Sequence, residues 1–342
     1  MTGPRTTGTE TTGIRTIGLK KAGLKKAGFK KTGLGKAGLA KAVPKAWRRK
    51  SSHWLRQIEQ LDPETEHHRI YRTSIGYEFP WDYQRALEFA LFRTYCVPSI
   101  SALLDATGEF AKRPQQRYDD TAILIAEIAE HGYDSDRGRR AVRVVNKAHG
   151  RYVISNDDML YVLTTFIYEP LDWIERYGWR ELHPNERRAA FLFFREVGKL
   201  MGIKNIPEDF EQFRRFKLNY ERQHFVHSET NQRVGTYTLD LFCSWFPKPL
   251  RPAVSTAVRS LLDPPMLEAF GFRASPAWVG RTVRFGLHAR SFAAGLLPRR
   301  TTSKLVDDPK NRTYPGYPDG YQPEDLGSPA PDDIDERWLR KR

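Results

Sequence analysis

The chain has 342 residues and a formal charge of +15, and this charge is distributed unevenly. Residues 1–50 contain fourteen Lys or Arg and one acid, Glu10, so this segment carries a net charge of +13 and the remainder only +2. A nearly neutral body excludes reading the whole protein as a basic nucleic-acid-binding protein.

Cysteine content and hydropathy exclude further classes. The chain has two cysteines, Cys96 and Cys243, without a CxxC or CxxCH motif. This excludes a disulfide framework, a cysteine-ligated zinc module and covalently attached c-type haem. No run of 18 or more apolar residues occurs, so the sequence predicts neither a membrane-spanning segment nor an ordinary secretory signal. The expected location is the cytoplasm.

The first 50 residues contain a repeat. Glycines recur every five residues from Gly13 to Gly38, each followed by an apolar residue. Each five-residue step turns a helix by about 500°, so these apolar side chains form no stripe, and each internal glycine costs about 1 kcal/mol. We therefore expect a disordered basic arm over residues 1–50. It is a solvated low-complexity tail, a transit-like segment, an artefact of a later translation start, or a cationic sleeve for anionic lipid or nucleic-acid phosphate.

The body has the apolar periodicity of helices. Helical patterns occupy residues 119–132, 137–149, 155–178, 184–202, 207–225, 230–246, 250–262 and 276–296. Ser155 is an expected N-cap, Pro184 suits a first turn, and Pro170 should kink or divide its helix. The predicted fold is all-α, with one large helical domain over residues 51–305 and an extended Pro/Gly-rich tail over residues 306–342 that lies on the body or leaves it.

His149 is the first candidate for chemistry. It completes an apolar stripe with Val142 and Val145 and should point inward. A histidine in that position is either a hydrogen-bonded core residue or a neutral imidazole available to a haem iron.

Glu221 and His224 have the Glu-x-x-His spacing of di-iron helical bundles. The other match, Glu64 and His67, lies in a polar stretch, and a complete site needs two further carboxylates. A di-iron centre and a solvated helix face both remain open.

Arg117 and Thr121 are four residues apart, so they share a face if the helix at 119–132 extends back to Arg117. They are either an ordinary helix start or a pair that could hold a propionate or orient bound oxygen. No Gly-rich phosphate loop, GxSxG or HExxH motif occurs, which leaves nucleotide binding and the common hydrolase chemistries without support.

A series of segments resembles one known family. It comprises FPWDYQRALEFALFRTYCVPSIS, RYDDT at 117–121, HGRYVISNDDMLYVL at 149–163, YGWRELHPNERRA at 177–189, YERQHF at 220–225 and LLDPPMLEAFGF at 261–272. Over about residues 77–327 the chain resembles the MpaB-type oxygenases, which share a catalytic domain with bacterial rubber oxygenases, the latex-clearing proteins.

The resemblance implies an all-α oxygenase with a haem-binding helical core, non-covalent haem b and dioxygen as co-substrate. The family's proximal histidine falls on His149, and its arginine and threonine near the haem fall on Arg117 and Thr121. The rubber oxygenases have a lysine before that threonine and an arginine three residues before the histidine. Here these positions hold Asp120 and Asn146, which favours a smaller prenyl-bearing substrate over rubber.

The implied reaction is oxidative cleavage of a carbon–carbon double bond of an isoprenoid or other apolar substrate to two carbonyl products. The aromatic residues Phe191, Phe193, Phe194 and Trp173 either line an apolar channel or form ordinary core.

A prenyl substrate gives residues 1–50 and the basic-apolar helix at 281–300 a role in peripheral membrane association. Nucleic acid is not an expected partner, and the oligomeric state is open. Alternatives are a non-haem di-iron oxidoreductase and a non-catalytic helical protein that binds membranes or nucleic acid.

Overall fold

The computed structural model describes residues 53–306, 317, 320–327 and 334–340. The described residues all belong to one compact unit. The predicted arm over residues 1–50 and its boundary lie outside the described residues, so their disorder stays a prediction.

The described part of the chain contains fourteen α-helices and no β-strand, which confirms the all-α prediction. The helices are α1 His53–Gln60, α2 Pro63–Thr73, α3 Pro80–Thr94, α4 Pro98–Ala106, α5 Glu109–Lys112, α6 Pro114–His131, α7 Asp136–His149, α8 Asn156–Tyr177, α9 Pro184–Leu200, α10 Phe210–His224, α11 Glu229–Ser244, α12 Arg251–Arg259, α13 Pro264–Phe270 and α14 Ala277–Leu296. A π-helical turn, Ser74–Glu78, joins α2 to α3, and short 3-10 turns occupy Lys248–Leu250, Pro323–Asp325 and Glu336–Trp338.

Side-chain caps and first-turn prolines define the helix starts. Ser135 and Ser155 accept hydrogen bonds from the backbone N–H groups of Gly138 and Asp158, both at 3.0 Å. Pro184 lies in the first turn of α9, where its missing N–H leaves no bond unmade. The predictions for Ser155 and Pro184 are therefore confirmed.

Two helix predictions need correction. The predicted start at Asp119 is wrong, because α6 begins at Pro114 and Asp119 is a buried residue that accepts a hydrogen bond from Gln115 at 2.8 Å. Of the two outcomes predicted for Pro170, division is wrong, because α8 continues from Asn156 to Tyr177, while a kink at Pro170 stays a prediction. Neighbouring helices α3, α9 and α10 pack along α8 and hold both of its halves in place.

The main core surrounds α8. Ile167 and Tyr168 of this helix pack with Phe191, Phe193 and Phe194 of α9, and all five side chains are buried. Phe193 stacks on Tyr71 of α2 with ring centroids 4.5 Å apart. Aromatic side chains of this size contribute most of the buried apolar area, so this cluster fixes the positions of α2, α8 and α9.

A second cluster joins α3, α11 and α13. Phe92, Phe242 and Phe270 are buried together, and Gly235 lets the ring of Phe270 approach the backbone of α11. A Cβ atom at Gly235 would lie 2.5 Å from Cδ1 of Phe270. Close packing of α11 and α13 therefore requires glycine at this position.

None of the described helices by itself meets both the length and the hydropathy requirements of a membrane span. The pair Pro80–Thr94 and Pro98–Thr107 meets them together, with a bend of 99° between its members.

Candidate functional site

Arg117 and Thr121 lie on one face of α6, one turn apart. Because α6 begins at Pro114, the condition for their pairing is met. Nη1 of Arg117 donates a hydrogen bond to the Thr121 hydroxyl oxygen, and that hydroxyl donates to the Arg117 carbonyl oxygen at 3.2 Å. The structure therefore joins the two side chains that the sequence singled out.

The Arg117 guanidinium is half-buried and lies over the ring of Phe110, with 5.7 Å between its Cζ atom and the ring centroid. Among the described residues, no Asp or Glu forms a salt bridge with it. Its charge acts on the nearby Asp120 carboxyl without forming an ion pair, and a guanidinium binds carboxylates through two parallel hydrogen bonds. Arg117 is therefore suited to an anionic group of a bound molecule.

His149 is the last residue of α7 and is half-buried. Its Nδ1–H donates to the carbonyl oxygen of Val145 at 2.9 Å. Burial lowers the pKa of His149, and the positive charge of Arg117 acts in the same direction. A neutral ring with Nδ1 protonated has its lone pair on Nε2, which is the state in which histidine binds a metal.

Two small cavities adjoin Thr121. One has a volume of about 60 Å³ and lies between α3 and α6, and the other has a volume of about 20 Å³ and reaches Arg117 and Phe110. Both are lined by Glu88, Leu91, Tyr118 and Thr121. His149 lines neither of them, so these volumes describe the space beside Thr121 and not the space at the imidazole.

Sequence reasoning missed Glu88 and Tyr118. The carboxylate of Glu88 is buried and accepts hydrogen bonds from the Tyr118 hydroxyl at 2.6 Å and from Arg85 at 2.6 Å. Burial raises the pKa of Tyr118, and the negative charge of Glu88 adds to this. The signal in the sequence was a carboxylate within the apolar segment RALEFALF, where a buried acid needs partners.

The C-terminal segment lies on α6. The Tyr317 hydroxyl donates to Asp120, and the Tyr321 hydroxyl donates to Glu127 at 2.7 Å. Leu326 is buried in the main core. The tail was predicted either to lie on the body or to leave it, and its described residues lie on the body. Asp120, which stands where the rubber-oxygenase pattern has lysine, is buried under this segment.

Glu221 and His224, the candidates for a di-iron site, form hydrogen bonds and ion pairs with other side chains and with the backbone. Glu221 accepts hydrogen bonds from Nε and Nη2 of Arg93 at 2.7 Å each and pairs with Lys217 at 2.7 Å. His224 donates from Nδ1 to the Tyr220 carbonyl at 2.9 Å and stacks on the Tyr220 ring.

The second Glu-x-x-His pair also has other partners. Glu64 pairs with Arg188 at 2.7 Å, and His67 bonds to the Tyr133 hydroxyl at 2.6 Å. Within residues 53–306 and the described C-terminal pieces, no three His, Cys, Asp or Glu side chains form a group that could hold a metal ion. The di-iron alternative therefore has no ligand set in the described structure.

The aromatic residues that were candidates for a channel are core residues. Phe191, Phe193, Phe194 and Trp173 are all buried, and none of them lines either cavity beside Thr121. The channel interpretation is replaced by the core interpretation that the sequence left open.

The structure defines an all-α protein whose candidate side chains Arg117, Thr121 and His149 lie on two helices, α6 and α7, that pack against each other. The family described as the catalytic domain of ER-bound oxygenase mpaB/B′ and rubber oxygenase matches residues 84–295, more than half of the chain. The chain belongs to this family, which confirms the resemblance seen in the sequence. The matched span contains Arg117, Thr121 and His149.

Curated relatives come from two Penicillium species. The chain is 30% identical over 220 residues to ER-bound oxygenase mpaB′ of Penicillium brevicompactum, covering 59% of this chain and 52% of that protein. It is 36% identical over 148 residues to ER-bound oxygenase mpaB of Penicillium roqueforti, covering 42% and 50% of the two chains. The chain thus spans about half the length of these relatives.

Proposed function

We propose that the protein is a haem-dependent oxygenase that uses O2 to cleave a carbon–carbon double bond of an isoprenoid or other apolar substrate. The observation that carries this proposal is the placement of two side chains on adjoining helices of a family member: the His149 imidazole, whose Nδ1–H is bonded to Val145, and the Arg117 guanidinium, which forms no salt bridge among the described residues. The relatives are named oxygenases, which supports the class of reaction.

The donor chemistry of these residues fits haem b. Nε2 of His149 would hold the haem iron, because Nδ1–H is already bonded to the Val145 carbonyl oxygen and this bond fixes the tautomer. The guanidinium of Arg117 would bind a propionate. A non-covalent haem needs one protein ligand of this kind, so the lack of a three-residue metal group in the described chain is compatible with it.

Bound haem supplies the chemistry of O2, and the protein supplies binding, orientation and a suitable environment. Thr121 presents its hydroxyl to the space beside Arg117, and its one O–H, which donates to the Arg117 carbonyl oxygen, would have to rotate to donate to a bound molecule. Apolar side chains on α3, α6 and α8 form much of the lining of the larger of the two cavities beside Thr121; they include Leu87, Leu91, Ile125 and Phe166. An olefin suits this lining, and one O2 balances its cleavage because each carbonyl product takes one oxygen atom.

A spectroscopic experiment tests the axial ligand. Purified full-length protein supplied with haem should show an intense Soret band, and His149→Ala should abolish it. His224→Ala is the matched control, because His224 also ends a helix and makes the same bond to the carbonyl four residues earlier. A Soret band that survives in His149→Ala would refute the assignment.

Two results would favour the alternatives. A colourless protein with stoichiometric iron that depends on Glu221 and His224 would support the di-iron oxidoreductase. Protein that takes up neither haem nor iron would support a non-catalytic binding protein.

Arg117 can be tested separately from His149. Arg117→Gln should weaken haem binding by about tenfold or more, because it removes a charge-assisted bond to a propionate, and Arg117→Lys should restore part of it. Titration with haem followed by absorbance measures both. Equal affinities for the wild type and Arg117→Gln would contradict this role.

The proposed location is the cytoplasmic side of a membrane, with peripheral association through residues 1–50 and 281–300. The relatives are named ER-bound, and an apolar substrate partitions into membranes. Residues 1–50 lie outside the described structure, and their charge of +13 supports attraction to anionic lipid.

A further inference from the structure

An open groove lies between α12, α13 and α14, about 400 Å³ in volume and remote in the chain from Arg117, Thr121 and His149. Three arginines line it, Arg259, Arg281 and Arg284, together with the small polar residues Ser260 and Ser275. No acidic residue is among the lining residues. The groove thus has the composition of a binding site for an anion.

The three arginines have no acidic partner among the described residues. Arg281 and Arg284 are exposed and form no salt bridge there. The Arg259 guanidinium lies near two backbone oxygens, those of Ser255 and Arg273, each at 3.4 Å. Residues 273–300 contain no Asp or Glu at all. The positive charge of this surface is therefore left for a partner to neutralise.

An aromatic stripe runs along the same helix. Trp278, Phe285 and Phe292 are seven residues apart and are 63%, 75% and 50% exposed. A step of seven residues rotates a helix by only about 20° from two full turns, so these side chains lie on one side of α14. Leu297, just beyond the helix, is 62% exposed. Large apolar side chains that are exposed along one side of a helix indicate a site of interaction.

The other side of α14 packs against the body of the protein. Val279, Gly280 and Ser291 are buried, and α14 packs on α8 and α12. Arg290 binds both carboxylate oxygens of Asp82, at 2.8 and 2.7 Å, and lies over the ring of Trp81. The aromatic stripe is consequently not needed to hold the helix in the fold.

The charge of this surface selects its partner. In a symmetric pair of copies, Arg281 and Arg284 of both chains would approach each other without any acid on α14 to compensate. A helix with aromatic residues on one side and arginines beside them suits the interface of an anionic bilayer, where the rings enter the acyl region and the arginines bind phosphates.

We propose that α14 docks on an anionic phospholipid membrane, with Trp278, Phe285 and Phe292 inserted among the acyl chains and a lipid phosphate bound in the groove of Arg259, Arg281 and Arg284. This inference rests on the peripheral association proposed above and deepens it. It does not depend on the chemistry at His149.

Vesicle binding tests the docking surface. Full-length protein is sedimented with vesicles of phosphatidylcholine alone or mixed with phosphatidylserine, at about 0.15 M and about 0.5 M salt. Arg281→Glu/Arg284→Glu should weaken binding to the anionic vesicles by about tenfold or more. Trp278→Ser/Phe285→Ser should weaken it by about tenfold, including at high salt, where attraction between exposed charges is screened and the basic arm contributes least.

Matched controls lie on α10. Arg215→Glu/Arg222→Glu makes the same change of charge on the exposed side of another helix, and Leu218→Ser removes an apolar side chain that is 48% exposed. Both should bind vesicles as the wild type does. If the two arginine double variants lose vesicle binding equally, only net charge matters and the proposal is overturned. Unchanged vesicle binding in both α14 variants would overturn it as well.

Two further arms separate other ligands. In the first, soluble glycerol 3-phosphate is added to the wild type and its melting temperature is measured. A raised melting temperature, together with normal vesicle binding by both α14 variants, would assign the groove to a free phosphate ester and refute membrane docking. A wild-type dimer that Phe285→Ser dissociates without lipid would assign the stripe to a second copy. The Soret band of haem-loaded protein should be unchanged in the α14 variants, so a failure of docking is distinguishable from a failure of the proposed function.

Discussion

The hydroxyl of Tyr317 donates a hydrogen bond to Oδ1 of Asp120, 197 residues earlier in the chain. This contact holds the C-terminal segment on α6, one residue before Thr121. Asp120 is only 3% exposed. The burial of this part of α6, next to Thr121, therefore depends on a segment that is distant in sequence.

Asp120 should make stability depend on pH. Burial raises its pKa, and the Tyr317 bond and the charge of Arg117 only partly oppose this. Since the folded state favours the protonated acid, the stability it contributes is greatest below the ordinary pKa of aspartate and is lost as pH rises through the raised value.

Asp120→Asn cannot ionise, so its unfolding free energy relative to wild type should increase as pH rises from about 4 to about 7. Urea unfolding at several pH values measures this. Glu78, Asp82 and Asp172 also have raised pKa values, but they are present in both proteins and cancel in the difference. Curves that stay parallel across this range would refute the prediction.

Glu221 should act in stability and not in metal binding. Its pKa is held below the ordinary value because Arg93 and Lys217 outweigh the effect of burial. Glu221→Gln leaves both cations without this partner and should destabilise the protein by about 3–5 kcal/mol in denaturant unfolding.

Glu211→Gln, on the exposed side of the same helix, should change stability by less than about 0.5 kcal/mol. Iron content measured on folded Glu221→Gln should equal that of the wild type. Selective loss of iron from a fully stable variant would revive the di-iron interpretation.

Phe193 should behave as a core residue. It is 1% exposed and packs on Tyr71 and Phe194, so Phe193→Ala should cost about 3–5 kcal/mol of unfolding free energy. Phe285→Ala is the matched exposed substitution and should cost less than about 0.5 kcal/mol. Chemical denaturation compares them, and a Phe193→Ala variant as stable as the wild type would favour a channel position.

Two glycines should respond to alanine with opposite signs. At Gly235 the added Cβ would meet the Phe270 ring at 2.5 Å, so Gly235→Ala should destabilise by about 1–3 kcal/mol. At Gly286, within α14, nothing lies within 4 Å of the added atom, so Gly286→Ala should stabilise by up to about 1 kcal/mol. Thermal unfolding measures both, and shifts of equal sign would contradict the packing described here.

Local patterns were sufficient to predict the helices and some of their caps. The all-α class followed from apolar spacing, and Ser155 and Pro184 were recognisable because caps and first-turn prolines act within one helical turn. The start of α6 was placed too late, because acids before an apolar run resemble a cap while Asp119 and Asp120 are in fact buried by tertiary contacts.

The sequence by itself also identified His149 as an inward-facing candidate, through a stripe on one helix, and Arg117 with Thr121 as candidates on one helix face, through a spacing of four. Only the tertiary structure decided that Glu221 pairs with Arg93, that Glu88 accepts the Tyr118 hydroxyl, and that Tyr317 covers Asp120. Spacing within a helix fixes which side chains share a face, because helix geometry is regular. Contacts between residues 30 to 197 positions apart depend on how helices pack, and no local pattern encodes that.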